Sequence, residues 1–387
     1  MTAASDGITA AVGAEPVLRV LSDLVRIDSQ NPELVPGGAG ERAIAEYCRS
    51  WLVTAGAEAW LDQVAPGRWN AVGRVRGGPG PTLVLCAHLD TVSAEGMTDA
   101  AFEPRLEDGR LHGRGAYDMK GGVAAILAAL AALAPSPPRG TVLAALVADE
   151  EYASIGAQDF ARRYQADACV VTEPSEGRLI LAHKGFVWAE VETGGVAAHG
   201  SRWDLGVSAI GRMAGIITAL EAFDGDVLRR RTHPLLGPAS LHCATVQGGE
   251  AWSTYAPRCT LRVERRTLPG ETTMAVLQEL RSVIAAAGEE AVVREVLSRS
   301  PLECDPASPL AQDVRAAAAE VTGTLPEDAG VAYWMDAAVF ADAGMPAVDY
   351  GPAGEGAHAA VEWVDVASVG TTARVLERLC RRYCDRC

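Results

Sequence analysis

The chain has 387 residues, of which 49% are hydrophobic and 22% are charged, so it is long enough for two folded domains and too apolar to be disordered. Its net charge of −16 argues against nucleic acid or an anionic membrane as a partner, because phosphate groups are bound by clustered Lys and Arg. No run of 18 apolar residues occurs, and the Ala-rich segment 123–134 is predicted to be a buried helix.

The cysteines and the N-terminus predict a cytoplasmic protein. Nine scattered cysteines are typical of free thiols in a reducing compartment, and the N-terminus lacks the basic and apolar regions of a signal peptide. The C-terminal group Cys380, Cys384 and Cys387 could bind a metal, but it has neither a fourth ligand nor a partner pair, which disfavours that interpretation.

The first part of the chain predicts alternating helices and strands. After two amphipathic helices, which begin at Pro16 and near residue 41, come short apolar runs typical of strands buried on both faces. These runs are 82–87, 141–148 and 168–172, and the helices between them are 121–134 and 154–164. The alternation predicts a mostly parallel α/β domain.

The pattern changes near residue 183. Strands at 186–193, 240–247, 258–265 and 291–296 and helices at 206–221 and 271–286 predict a split ferredoxin-like unit. The chain then returns to α/β character, with a helix near 310–321, a strand at 347–350 and a long C-terminal helix. We therefore predict an α/β fold in which a mostly parallel-sheet domain, 1–182 and 297–387, is interrupted by an inserted α+β domain, 183–296.

Histidines and acids follow several of the predicted strands. Side chains at the carboxyl ends of parallel strands gather at one edge of a sheet, and crowded carboxylates there need cations. Carboxylate and imidazole ligands together suit zinc or its relatives. The residues in question are His88 and Asp90 after the first buried strand, Asp149, Glu150 and Glu151 after the second, Glu173 after the third, and His358 in a later Gly-rich loop.

The segment 113–122, GRGAYDMKGG, begins like a dinucleotide-binding loop. Asp118 stands where that motif needs its third glycine, and a carboxylate there would repel a pyrophosphate, which disfavours an oxidoreductase. The plainer alternative for Asp118 is an N-cap of the helix 121–134.

Together the motifs resemble a family of dinuclear zinc hydrolases that includes acetylornithine deacetylase, succinyl-diaminopimelate desuccinylase, aminoacylase and glutamate carboxypeptidase. Nearly the whole chain takes part, through HxD, GRGxxDMKGG, DEE, TEP, AHGS, RTLPG and GxxAH in that order. The resemblance implies a metallohydrolase domain, an inserted lid and dimerisation domain, and a homodimer. It also implies two divalent metal ions, with zinc as the first choice and cobalt or manganese as alternatives.

The resemblance also implies a role for each motif residue. One metal would be bound by His88 and Glu173, the other by Glu151 and His358, and Asp118 would bridge both. Asp90 would orient His88, and Glu150 would be the general base that takes a proton from the metal-bound water and passes it to the leaving amine. His199 would stabilise the oxyanion from the partner subunit, and Arg266 would bind the substrate carboxylate; the plain alternatives are a surface histidine and a surface ion pair.

The predicted function is a metal-dependent enzyme that hydrolyses the amide bond of N-acyl amino acids. A dipeptidase or carboxypeptidase with the same metals is the main alternative, and a non-catalytic metabolite-binding protein on the same fold is the remote one. Thr254, Met335 and Val361 depart from residues common in the family, and the departures affect the substrate pocket. The acyl group and the amino acid are therefore left open.

Overall fold

The computed structural model describes residues 14–97 and 100–386, which divide into two compact units. The first unit contains the described residues up to Leu181, the segment Cys304–Ala329 and the described residues from Met335 onward. The second contains Ala182–Glu303 and Gly330–Trp334. The start of the chain, where a signal peptide would lie, and Cys387 of the C-terminal cysteine group fall outside the described residues.

The first part of the chain forms the alternating elements that its apolar runs predict. In order they are α1 Ala14–Arg26, α2 Arg42–Thr54, β1 Glu58–Ala65, β2 Arg68–Arg76, β3 Thr82–His88, β4 Arg105–Glu107, β5 Arg110–His112, α3 Gly121–Leu133, β6 Thr141–Val147, α4 Ile155–Arg163, β7 Ala168–Val171 and β8 Leu179–His183. The hairpin of β1 and β2 is an addition that the sequence analysis did not predict.

The inserted segment contributes β9 Gly185–Gly194, α5 Ala209–Asp226, β10 Thr232–His233, β11 Gly237–Pro238, β12 Ser240–Gly248, β13 Arg258–Thr267, α6 Thr273–Ala286, β14 Val292–Arg299 and β15 Leu302–Glu303. Four of these strands form an antiparallel sheet in the order β12-β13-β9-β14, with two helices that belong to the same apolar core. This is the strand order and helix count of the predicted ferredoxin-like unit.

The chain ends with α7 Pro309–Thr322, β16 Asp328–Val331, α8 Ala337–Asp342, β17 Ala347–Asp349, β18 Gly354–Glu355, β19 Trp363–Asp365 and α9 Val366–Cys384. In the main sheet, β6, β3, β7 and β17 are neighbours and run parallel. The hairpin of β1 and β2 extends this sheet antiparallel beside β6. The predicted α/β fold with a mostly parallel central sheet is confirmed.

The apolar core of the first unit surrounds α3. Nearly every residue of this Ala-rich helix is buried, and it packs against α1, α2 and α9. The helical segment Ala116–Leu133 is long and apolar enough to cross a membrane by composition, but 89% of it is buried inside the protein. The prediction of a buried helix is therefore confirmed.

Candidate metal centre

Polar side chains follow the parallel strands of the first unit at the edge where those strands end. His88 is the last residue of β3, and Glu173 lies two residues beyond β7. Glu150 and Glu151 lie in the turn after β6, and His358 lies beyond β17, in the loop between β18 and β19. Because the carboxyl ends of parallel strands meet at the same edge, the sheet brings these side chains together.

Asp118, in the turn before α3, stands between the two histidines. Its Oδ1 lies 3.1 Å from His88 Nε2, and its Oδ2 lies 3.2 Å from His358 Nε2. On one side, His88 Nε2 is 3.6 Å from Glu173 Oε1. On the other side, His358 Nε2 is 3.0 Å from Glu151 Oε2. The cluster therefore has two halves that share the carboxylate of Asp118.

Asp90 supports this cluster in two ways. The Nδ1 of His88 lies 2.9 Å from the backbone oxygen of Asp90, which can only accept, so Nδ1 carries a hydrogen and Nε2 faces the carboxylates. The side chain of Asp90 accepts the backbone N–H of Glu150 at 3.1 Å and that of Glu151 at 3.2 Å. Asp90 thus orients His88 through its carbonyl and holds the turn after β6 through its carboxylate.

Burial and mutual proximity shift the pKa values of the side chains in the cluster. Burial raises the pKa of Glu150 and of Glu173 well above the ordinary carboxyl range. Burial opposes protonation of His88, yet the charge of Glu173 and the hydrogen bond to Asp118 outweigh it and raise the pKa of His88 well above its usual value. The pKa of His358 rises to about 10, first of all through its hydrogen bond to Asp118.

The donor set fits divalent metal ions. Ligand atoms of His88, Glu150 and Glu173 lie within 4.8 Å of one another, and so do those of His88, Asp118 and Glu151. Within residues 14–97 and 100–386, the buried Oε1 of Glu151 has no hydrogen-bond partner, which leaves it a vacant acceptor position. Divalent ions would balance the negative charge of the clustered carboxylates.

A buried network of charged and amide side chains supports the turn that follows β6. Arg68 forms an ion pair with Glu41 through Nε and Nη2, and its Nη2 also lies 2.9 Å from Asp149 Oδ1. The Nδ2 of Asn31 donates to Asp149 Oδ1 at 3.0 Å and to Asp90 Oδ2 at 2.8 Å. All five side chains are buried, so the network links the interior of the unit to the residue that precedes Glu150.

Comparison with known proteins identifies the family. Residues 84–382 match the profile of Peptidase family M20/M25/M40, and this range contains every residue of the cluster. The chain belongs to this family. The prediction of a dinuclear hydrolase relative is thereby confirmed, and so is the prediction of an enzyme that acts on C–N amide bonds.

Two curated M20 relatives and one solved structure show how far the similarity extends. An acetylornithine deacetylase of Myxococcus xanthus is 30% identical over 95% of this chain and 98% of its own length. A probable succinyl-diaminopimelate desuccinylase of Staphylococcus epidermidis is 25% identical over 77% of this chain and 79% of its own. The crystal structure of an aminopeptidase of Bacillus cereus covers 96% of this chain and 99% of its own with a TM-score of 0.80 and 20% identity, a likeness of fold.

The first unit brings together the side chains that the M20 motifs predict for metal binding and for the general base. His199 and Arg266 lie in the second unit. His199 is exposed, its Nδ1 is 2.8 Å from Ser201 Oγ, and its backbone pairs with that of Thr254, one of the positions that depart from the family. Arg266 forms an ion pair with Glu264 through Nε and lies over the ring of Phe186 at 5.5 Å. Their roles stay predictions.

The sequence analysis missed the residues that hold the M20 cluster in place. Asn31, Glu41 and Arg68 carry no local signal, because their partners are distant in sequence: Arg68 is 27 residues from Glu41 and 81 from Asp149. One signal was available. Three successive acids after a buried strand are costly unless they are solvated or paired with cations, and arginine is well suited to pair with a buried carboxylate.

Proposed function

We propose that this chain hydrolyses the amide bond of N-acyl amino acids and releases a carboxylate and a free amino acid. The observation that carries the proposal is the convergence of two histidines and three further carboxylates, those of Glu150, Glu151 and Glu173, around the shared Asp118. The full-length similarity to an acetylornithine deacetylase supports an acyl amino acid as the substrate class. A dipeptidase or carboxypeptidase is the second candidate, favoured by the match to a family described as peptidases, M20/M25/M40.

In this proposal, His88 and Glu173 would hold one divalent ion, Glu151 and His358 the other, and Asp118 both. We propose zinc, with cobalt or manganese as alternatives, because imidazole and carboxylate ligands suit these metals. When bound, such ions lower the pKa of water and polarise an amide carbonyl.

In the same proposal, side chains of the protein transfer the proton, bind the substrate and stabilise the oxyanion. Glu150, held by Asp90 through its backbone, takes a proton from the attacking water and returns it to the leaving amine. Arg266 binds the carboxylate of the substrate, with Glu264 orienting its guanidinium through Nε. His199 donates a hydrogen bond to the oxyanion of the tetrahedral intermediate.

A substrate panel tests the proposal. Chelator-treated and zinc- or cobalt-loaded protein would be given N-acetyl, N-succinyl and longer N-acyl amino acids together with dipeptides, and amine release would be measured. We expect cleavage of acylated amino acids by the loaded protein, loss of activity with chelator, and recovery when metal returns. Faster cleavage of dipeptides would favour the second candidate, and no cleavage by protein with two bound metals would contradict both.

The cytoplasmic location stays a prediction. The proposal also includes a homodimer formed through the second unit. β12 is an edge strand of the antiparallel sheet, and large apolar side chains are exposed beside it: Ile210, Val246 and the fully exposed Trp252. Ile210 and Trp252 line one groove. An open strand edge with exposed apolar side chains is usually covered by a partner.

We expect Val246→Lys to convert the dimer into a monomer, because the lysine would be buried against the partner without a counter-charge. Light scattering coupled to size-exclusion chromatography measures the molar mass, which is 40.5 kDa for one chain. Val296→Lys is the matched control: Val296 is also exposed, on β14 at the opposite edge of the same sheet, so this variant should remain dimeric. A wild-type protein of one-chain mass, or equal behaviour of the two variants, would contradict this interface.

A further inference from the structure

Glu362 is a buried glutamate in the loop between His358 and β19. Its side chain is 1% exposed, and it is not one of the proposed metal ligands. No role in metal binding or proton transfer has been assigned to Glu362, so nothing in the functional argument so far uses this residue. Its contacts nevertheless all lie in the two loops that carry Asp118 and His358.

The carboxylate of Glu362 accepts four hydrogen bonds from the loop before Asp118 and from Asp118 itself. Oε1 accepts the backbone N–H of Tyr117 and of Asp118, both at 3.0 Å. Oε2 accepts the backbone N–H of Gly115 at 2.9 Å and Nη1 of Arg114 at 2.8 Å. One side chain therefore satisfies three backbone donors that the irregular loop cannot satisfy by itself.

Arg114, in the loop before Asp118, also contacts the loop that carries His358. Its guanidinium is buried, and Nη2 donates to the backbone oxygen of Ala359, the residue directly after His358, at 3.1 Å. The backbone adds a further link, because Gly113 N–H donates to the carbonyl oxygen of Glu362 at 3.2 Å. The two loops are thus joined by an arginine that contacts both, a carboxylate and a backbone hydrogen bond.

These contacts set the distance between two proposed ligands that come from opposite parts of the chain. Asp118 Oδ2 lies 3.2 Å from His358 Nε2 only if the two loops keep their spacing. Metal ligands need positions accurate to a few tenths of an ångström, so a loosened loop weakens binding without removing a ligand. A buried Arg–Glu pair with fixed geometry suits that task better than flexible surface contacts.

We propose that Glu362 and Arg114 form a positioning pair that places Asp118 against His358 and so sets the affinity of the metal site of Glu151 and His358, called the second site below. The proposal rests on the ligand roles proposed above. It assigns no contact with substrate or metal to either residue. The alternative is that the pair stabilises the fold and leaves metal binding unchanged.

The test is a calorimetric titration of chelator-treated protein with zinc or cobalt. Glu362→Gln keeps the size of the side chain but replaces one of the two acceptor oxygens by an NH₂ group. The variant therefore loses the two hydrogen bonds that this oxygen accepts, and Arg114 loses its charged partner. We expect about a 10–100-fold weaker binding of the ion at the second site, with a smaller change for the other ion. The visible absorption of the cobalt-loaded protein should change as well, because the proposed ligands Asp118 and His358 are no longer held at a fixed distance from each other.

Glu377→Gln is the matched control. Glu377 is also a buried glutamate paired with an arginine, Arg381, but both belong to α9 and neither contacts the two loops. A purely structural role predicts that Glu362→Gln and Glu377→Gln lower the melting temperature alike and leave both binding steps as in the wild type; that result would overturn the proposal.

Arg114→Lys provides a second, milder variant. A lysine keeps the charge but cannot reach Glu362 Oε2 and the Ala359 oxygen together, so we expect a smaller loss of affinity at the second site. If Glu362→Gln does not fold, an unchanged titration of Arg114→Lys overturns the proposal. Since the titration needs no substrate, its outcome is independent of whether the wild-type protein hydrolyses acyl amino acids.

Discussion

Replacing Glu150 by glutamine is expected to lower kcat for amide hydrolysis by about 10²–10⁴-fold while both metal sites stay filled. The glutamine would have the same shape and the same backbone hydrogen bond to Asp90, but an amide cannot take a proton from water. The side chain of Glu150 is mostly buried, and its Oε2 lies 4.0 Å from His88 Nε2, at the border of the proposed metal site. The KM should change little, because substrate binding is assigned to other side chains.

The measurement pairs initial rates on the best substrate of the panel with the number of metal ions per chain. Glu46→Gln on the exposed face of α2 is the control for a glutamate-to-glutamine change and should leave both values unaltered. Two other results would be informative. Loss of one metal would make Glu150 a ligand, as its closeness to His88 and Glu173 permits, and an unchanged kcat would place the base elsewhere.

The sequence predicted those parts of the fold whose signal is local. β3, β6 and β7 are almost entirely buried, so each appears as a continuous apolar run, and the reactive side chains follow these runs within a few residues. β1 is different. Most of its residues are half-buried, without alternation between an inner and an outer face, so it carries no period-2 pattern and its hairpin with β2 was missed.

The same limit applies to the site. The motifs name the side chains that converge on Asp118, because each motif is a short string. The residues that hold them are paired across long stretches of chain: Arg114 and Glu362 are 248 residues apart. Hydrogen bonds of this kind depend on which loops meet in space, and no spacing within the sequence encodes that. Asp90 shows the same effect. Its carboxylate accepts a hydrogen bond from the backbone of Glu150, and its backbone oxygen accepts one from His88.

Replacing Arg68 by alanine is expected to lower the free energy of unfolding by about 3–5 kcal/mol, the usual cost of leaving a buried ion pair with one partner. Glu41 and Asp149 are both buried, and the guanidinium of Arg68 contacts both carboxylates. Burial raises the pKa of Glu41, and the hydrogen bond from Arg68 opposes that rise. Without the arginine, Glu41 must stay buried as a charge or take up a proton.

Urea unfolding of chelator-treated protein measures the change without a contribution from metal binding. Arg42→Ala is the control, because Arg42 forms an exposed pair with Glu46 one helical turn away, and its loss should cost at most about 0.5 kcal/mol. Equal effects of the two substitutions would show that the buried network contributes no more than a surface pair. Adding Glu41→Gln to Arg68→Ala should recover part of the loss, since it removes one of the two stranded charges.

The pH dependence of the Arg68→Ala variant follows from the direction of the Glu41 shift. A carboxyl whose pKa is raised in the folded protein is protonated there more readily than in the unfolded chain, so its contribution favours folding at low pH and is lost as the pH rises through the folded pKa. Removing Arg68 raises the pKa of Glu41 further. The difference in free energy of unfolding between the wild type and the variant should therefore be smaller at mildly acidic pH than at neutral pH.

Arg68→Ala should also lower the rate of amide hydrolysis. Asp149 holds a left-handed backbone conformation with φ of 72°, and its carboxylate is bound by Arg68 and Asn31 directly before Glu150. Without Arg68 this conformation loses a charged partner, so the turn that presents Glu150 and Glu151 becomes looser. We expect the folded fraction of the variant to show a lower kcat, because a general base works only when its carboxylate is held within reach of the water.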